Sequence, residues 1–142
     1  EIDENSIVSE CAYVGSQTHI YNDTLRNNLT LWNEAITDTH IKEALERVNL
    51  LSFLSRIDEQ VSDGSFSEGQ KQRIGLIRAF LKGSSVVIFD EATANLDHKN
   101  ATRIEHLLLS DPNITYITVT HHLIKENEPY FDEIIRLGEG TE

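Results

Sequence analysis

The sequence predicts an α/β fold with a mainly parallel sheet and an inserted helical subdomain. Two observations carry this. Apolar, β-branched runs alternate with segments whose apolar residues recur at three- and four-residue steps, the mark of a layered α/β protein. Between Leu25 and Gly83 the helical patterning runs too long for one crossover helix, and so reads as an insertion.

Each element follows in order. Ser6 to Val14, "SIVSECAYV", is rich in small and β-branched residues and predicts a strand. "GSQTHIYNDT" is a loop. From Leu25 to about Leu54 the pattern is helical, and Ile41, Ala44, Leu45, Val48, Leu51 and Leu54 form one apolar stripe. Thr37 to Thr39 offer N-caps. Arg56 to Ser67 is polar and turn-rich. Glu68 to Lys82 predicts a helix with Ile74, Ile77, Ala79 and Leu81 on its buried side and Gly83 to end it. Val86 to Phe89 is a short unbroken apolar run, as in a strand buried on both faces. Asp97 can cap a helix to about Leu109. Ile114 to Thr120 predicts the next strand, and Asp132 to Leu137 another.

The 142 residues suffice for one domain with a core. With 24 Asp and Glu against 12 Lys and Arg, the net charge is -12. That sign argues against a nucleic-acid partner. Cys11 is the single cysteine, so no disulfide forms within the chain. No apolar run approaches the ~20 residues of a membrane span, and no basic segment followed by an apolar stretch, the pattern of a signal peptide, occurs in these residues. The chain lacks methionine, opens on "EIDENS" and stops at "GEGTE", as expected of a piece of a longer protein.

"DGSFSEGQKQRI", Asp63 to Ile74, comes close to a phosphate loop, with Gly64 and Gly69 five apart. The match fails: no strand delivers it, Gln70 follows Gly69, and Gln72 follows Lys71. Two readings stay open. Ser65 with Glu68, or Ser67 with Gln70, makes a capping box at a helix start. Alternatively, free N–H groups, the Ser67 hydroxyl and the bare Gly69 face an anion.

"VVIFDEATANLD" ends an apolar strand in two acids, at the sheet edge where open α/β folds bind ligands. Asp90 suits holding hydrated Mg²⁺, and Glu91 suits orienting and deprotonating a water. His121 and His122 follow the next strand. If the two strands are neighbours, one imidazole comes near Glu91. Gln17, in the loop after the first strand, is placed to reach a metal-bound water. Lys71, Arg73, Arg78 and Lys82 make a local positive region in an acidic chain. The histidines lack zinc-ligand spacing.

Together, "FSEGQKQR", "VVIFDEATANLD" and "TVTHH" resemble the nucleotide-binding domain of an ABC transporter. "YVGSQ" followed by "IYNDTLRNNL" is similar to its Q-loop region, in the exporter branch. The resemblance implies a partial RecA-like (P-loop NTPase) core. Residues 1–24 would be a core strand and Q-loop, 25–75 a helical subdomain ending in the signature motif, and 76–142 core with Walker B, D-loop and H-loop. By position Ser67, Gly69 and Gln70 fall in the signature, where Phe66 and Glu68 depart from the usual Leu and Gly. Asp90 would be the Walker B magnesium residue, Glu91 the catalytic base, Asp97 a D-loop residue, His121 the H-loop histidine and Gln17 the Q-loop glutamine. The implied cofactors are ATP and Mg²⁺. The implied partners are a second nucleotide-binding domain, paired head to tail, and transmembrane domains at the cytoplasmic face of the cell membrane.

The family's phosphate loop precedes the Q-loop, and this chain opens after it. Alone it is expected to bind ATP weakly, to be inactive and to expose apolar sheet edges. Three rival readings are a helicase-type motor suggested by "FDEAT", a non-transport ABC-type ATPase, and a non-catalytic interaction module. The favoured reading requires Asp90, Glu91 and His121 to converge on one rim, with Ser67 facing outward.

Overall fold

A computed structural model describes residues 9–137. In chain order the elements are β1 (Cys11–Val14), β2 (Asp23–Thr24), α1 (Leu25–Thr30), α2 (Asp38–Arg47), β3 (Gln60–Val61), α3 (Glu68–Lys82), β4 (Val86–Asp90), α4 (His98–Leu109) and β5 (Thr115–Val119). Short 3₁₀ turns occupy Leu51–Arg56, Asp63–Ser65 and Glu128–Tyr130.

One parallel sheet runs β1-β4-β5, with Val14 opposite Phe89 and Phe89 opposite Thr118. Residues in register on neighbouring strands share a face. Ala12, Val14, Val87 and Phe89 are buried on one side. There α3 crosses β1, and a Cβ on Gly75 would lie 2.7 Å from Thr18 Oγ1 and 3.5 Å from Val14 Cγ1. A side chain there would press on the Thr18 hydroxyl, which would have to turn aside. On the same face, Tyr116 of β5 donates its hydroxyl to Glu105 of α4 at 3.3 Å.

The opposite face carries Tyr13, Ile117 and Val119, which are 66%, 47% and 57% exposed. β4 is therefore closed on one face only, not on both as its apolar run suggests. Val86 and Ile88 are half-buried, and such a run cannot separate one-sided from two-sided burial.

The stretch predicted helical from Leu25 to Leu54 divides into α1, α2 and a 3₁₀ turn. α1 stops because Leu31 (φ 50°) and Trp32 (φ 60°) take left-handed backbone conformations. The chain restarts at Thr37, whose hydroxyl accepts the His40 N–H and caps α2. Asn49 (φ 58°) then turns it again. Leu25, Leu29, Ile41 and Leu45 bury against α3 residues Ile74 and Ile77, whereas Leu51 at the end of the expected stripe is exposed. β2 and β3 pair antiparallel and close the two ends of this region.

Asn28 is the polar tie inside it, fully buried. Its Oδ1 accepts from Tyr21 N–H at 2.8 Å, and its Nδ2 donates to the carbonyls of Tyr21 and Thr24 at 2.9 and 3.0 Å. Arg78 of α3 donates to the Asn28 carbonyl at 2.7 Å. Asn28→Ala strands the Tyr21 amide and carbonyl, and is expected to lower stability by ~1–3 kcal/mol, read by urea denaturation. An unchanged midpoint would mean that water replaces the side chain.

Two sequence expectations need correction. Asp132–Leu137 forms no strand, and its Ile135 and Leu137 are exposed. β-propensity reflects fit to a paired, half-buried surface, and no described strand flanks this segment. The first strand begins at Cys11, with Ser9 and Glu10 in a helical turn; Ser6–Val8 lie outside the described residues.

Candidate functional site

Asp90 is the last residue of β4 and pairs with Val119, the last residue of β5. Both strands therefore deliver the chain to the same carboxyl edge. The next residue, Glu91, donates its N–H to the Val119 carbonyl at 3.0 Å and takes φ 53°. A left-handed glutamate is uncommon, and such outliers concentrate at functional sites. Two residues past β5, His121 Nε2 lies 2.8 Å from Glu91 Oε1. Its turn is held by Thr120, whose Oγ1 accepts the His122 N–H at 3.0 Å. His122 itself makes no such approach to Glu91.

Asp90 has a partner that sequence reasoning missed. The Tyr13 hydroxyl donates to Asp90 Oδ2 at 2.7 Å. Donation to a carboxylate raises the tyrosine pKa above its ordinary value. Tyr13 and Asp90 are 77 positions apart, so only the strand pairing reveals them. Strand alternation places Tyr13 on the open face, which was the one available signal.

Gln17 is exposed in the loop three residues beyond β1, at the same sheet edge. Asp97 caps α4 by accepting the Asn100 N–H at 3.0 Å. Hydrogen bonds from the Asn100 side chain and backbone hold its carboxyl below the usual range.

Ser67 is the N-cap of α3 and is exposed. Its Oγ accepts the Gln70 N–H at 3.3 Å, and Gln70 Oε1 accepts the Ser67 N–H at 2.9 Å. Of the two candidate boxes, this one forms; Ser65 instead pairs with Ser62. Gly69 is buried, and a Cβ there would sit 2.7 Å from the Asn95 carbonyl oxygen. This glycine thus brings the start of α3 onto the turn that follows Glu91.

The expected positive region on α3 is consumed internally. Lys71 Nζ donates to Asp63 at 2.7 Å and to Glu68 at 3.0 Å. Arg73 turns onto the carbonyls of Gly69, Val48 and Asn49. Arg78 holds Asn28, and Lys82 donates to the Cys11 carbonyl at 2.8 Å. Lys71 therefore pairs with the extra carboxylate at Glu68, sharing its one charge with Asp63. Lys71→Met keeps the buried stem and removes the charge. It is expected to lower Tm at low ionic strength, with the deficit shrinking in high salt. A salt-independent deficit would point to packing instead.

Among the described residues no group of three metal-ligating side chains occurs. Asp90, with Oδ2 engaged by Tyr13 and Oδ1 without a hydrogen bond from the described residues, fits Mg²⁺ of the kind held by one or two carboxylates and substrate phosphates. No described helix is long and apolar enough to cross a membrane.

An all-parallel β1-β4-β5 sheet with acids at its carboxyl edge is the arrangement of an open α/β fold that binds ligands at that edge. The ABC transporter family model matches residues 2–94, and the chain belongs to that family. It is 33% identical over 141 residues to a probable ABC transporter ATP-binding/permease protein of Haemophilus influenzae, covering 95% of this chain and 25% of that one. It is 31% identical over 130 residues to an ATP-dependent lipid A-core flippase of Desulfotalea psychrophila, covering 87% and 23%. A bacterial Atm1-family ABC exporter solved with ATP bound shares the fold, with a TM-score of 0.75 at 21% identity over 84% of this chain and 22% of that one. The chain thus spans about a quarter of the length of these curated relatives.

Proposed function

We propose that this chain is part of the ATP-binding and ATP-hydrolysing domain of an exporter-type ABC transporter, powering substrate movement across a membrane from its cytoplasmic face. The observation that carries this is the Glu91–His121 pair at 2.8 Å beside Asp90, on the carboxyl edge of a parallel sheet. Residues 1–24 and 76–142 belong to its core, and 25–75 to its helical subdomain.

In this reading Glu91 orients the attacking water and accepts its proton as the γ-phosphoryl group is transferred. His121 holds the Glu91 carboxylate in place. Asp90, with Gln17, would hold Mg²⁺, whose charge would offset that of the phosphate oxygens. The Ser67 hydroxyl and the first N–H groups of α3, ordered by Gln70 and set against the 93–97 turn by Gly69, face ATP held by a second domain paired head to tail. Asp97 anchors the turn that Gly69 touches.

The test is phosphate release from ATP by the full-length protein with Mg²⁺, with and without nucleic acid. Mg²⁺-dependent turnover indifferent to nucleic acid is the expected result. Stimulation by nucleic acid would favour a helicase-type motor, and no turnover would favour a non-catalytic interaction module.

A further inference from the structure

Glu105 is a buried acid that no step of the proposed hydrolysis uses. It lies on α4 and is 3% exposed. Each of its carboxyl oxygens accepts one hydrogen bond. The Tyr116 hydroxyl reaches Oε1 at 3.3 Å, and the Asn127 amide reaches Oε2 at 2.9 Å. The same Asn127 nitrogen donates to the Thr102 carbonyl, one turn earlier on α4, at 3.0 Å. Asn127 is itself 2% exposed. Burial raises the Glu105 carboxyl above its usual range, against the two hydrogen bonds that act to lower it. Burying an acid is costly, and apolar packing can serve stability as well. What a fully bonded buried group adds is rigidity and a single arrangement.

The two donors flank His121. Tyr116 stands five residues before it, on β5, and Asn127 six residues after it. The segment between them leaves the sheet, brings His121 Nε2 to within 2.8 Å of Glu91 Oε1, and returns to α4. Glu91 is tied to the same helix from the other side, because the turn that follows it ends at Asp97, the N-cap of α4. Both members of the pair therefore take their position from α4. A second contact between α4 and the segment runs from His98 Nε2 to Glu126 Oε1 at 2.9 Å, with both side chains largely exposed. Exposed pairs of that kind contribute little. The buried contact is the one that holds.

We propose that Glu105 is a positioning residue for His121, clamping both ends of the 117–126 segment so that the imidazole stays on Glu91. It presupposes the hydrolytic roles proposed for His121 and Glu91. Glutamine can keep the clamp, because its carbonyl oxygen accepts from Asn127 and its amide donates to the Tyr116 oxygen. Leucine is of similar size and does neither.

The test compares Glu105→Leu with Glu105→Gln in the full-length protein. In Glu105→Leu, hydrogen exchange across 120–127, read by mass spectrometry, should speed up at least ~10-fold, the scale of one lost buried hydrogen bond. Exchange across α3 should not change. kcat for ATP hydrolysis should fall roughly 10-fold, within the ~10² that a displacement of about 1 Å can cost, while KM for ATP moves much less. Glu105→Gln should recover most of both losses. Asn127→Ala opens the clamp from the segment's side and should repeat the Glu105→Leu result, which keeps the test decisive if the leucine variant folds poorly. Unchanged exchange at 120–127 in both, a Glu105→Gln protein as impaired as Glu105→Leu, or a rise in KM with kcat unchanged would each overturn the role. Faster exchange in Glu105→Leu, in a protein whose wild type shows no ATP turnover, would keep Glu105 as the holder of His121 and reject the hydrolytic reading alone.

Discussion

Glu91→Gln in the full-length protein is expected to slow ATP hydrolysis by about 10²–10⁴, the usual worth of a positioned general base. Glutamine matches glutamate in shape and faces the same left-handed backbone penalty at φ 53°. Its amide can still meet His121, which lies 2.8 Å from the carboxylate oxygen. What is removed is the capacity to take a proton. The KM for ATP should therefore change much less than kcat, since the loss falls on the transition state. Single-turnover phosphate release would measure it. Turnover near wild type would deny Glu91 the role of base.

Gly69→Ala is expected to lower turnover by up to about 10², the cost of a misplacement near 1 Å at a reacting centre. Ordinarily, alanine stabilises a helix over glycine by ~1 kcal/mol. Here the added Cβ meets the Asn95 carbonyl oxygen at 2.7 Å. That oxygen is backbone and cannot rotate aside, so α3 or the 93–97 turn must move. Overpacking of this kind costs ~1–3 kcal/mol and outweighs the propensity gain. Tm should fall along with activity. Gly64→Ala is the control, because nothing lies within 4 Å of a Cβ there. A Gly69→Ala protein with raised Tm and full activity would show that the turn yields freely.

Much of this arrangement is legible in the chain where local rules suffice. α3 spans Glu68 to Lys82 as its pattern predicts, and Gly83 ends it with φ 72°. Asp97 caps α4, and the Asp90-Glu91 pair stands at the end of its strand. Pairing across distance is what single-sequence reasoning cannot supply. The Tyr13–Asp90 bond depends on β1 lying beside β4. The contact of Gly69 with Asn95 depends on how α3 meets the turn. Basic residues on α3 invite a phosphate reading until their partners are seen: a carboxylate pair for Lys71, and carbonyls for Arg73 and Lys82. Leu31 and Trp32 break a helical pattern through left-handed conformations that their types rarely adopt.

The backbone at position 91 sets chemistry and folding at odds. Glutamate is held there in a left-handed conformation that glycine, with no Cβ, or asparagine, whose short amide bonds the local backbone, tolerates far better. Exchanging the acid for either should relieve roughly 1 kcal/mol of conformational tension while abolishing its reactivity. On the proposed role of Glu91, mutants selected only for thermal endurance would drift toward loss of turnover.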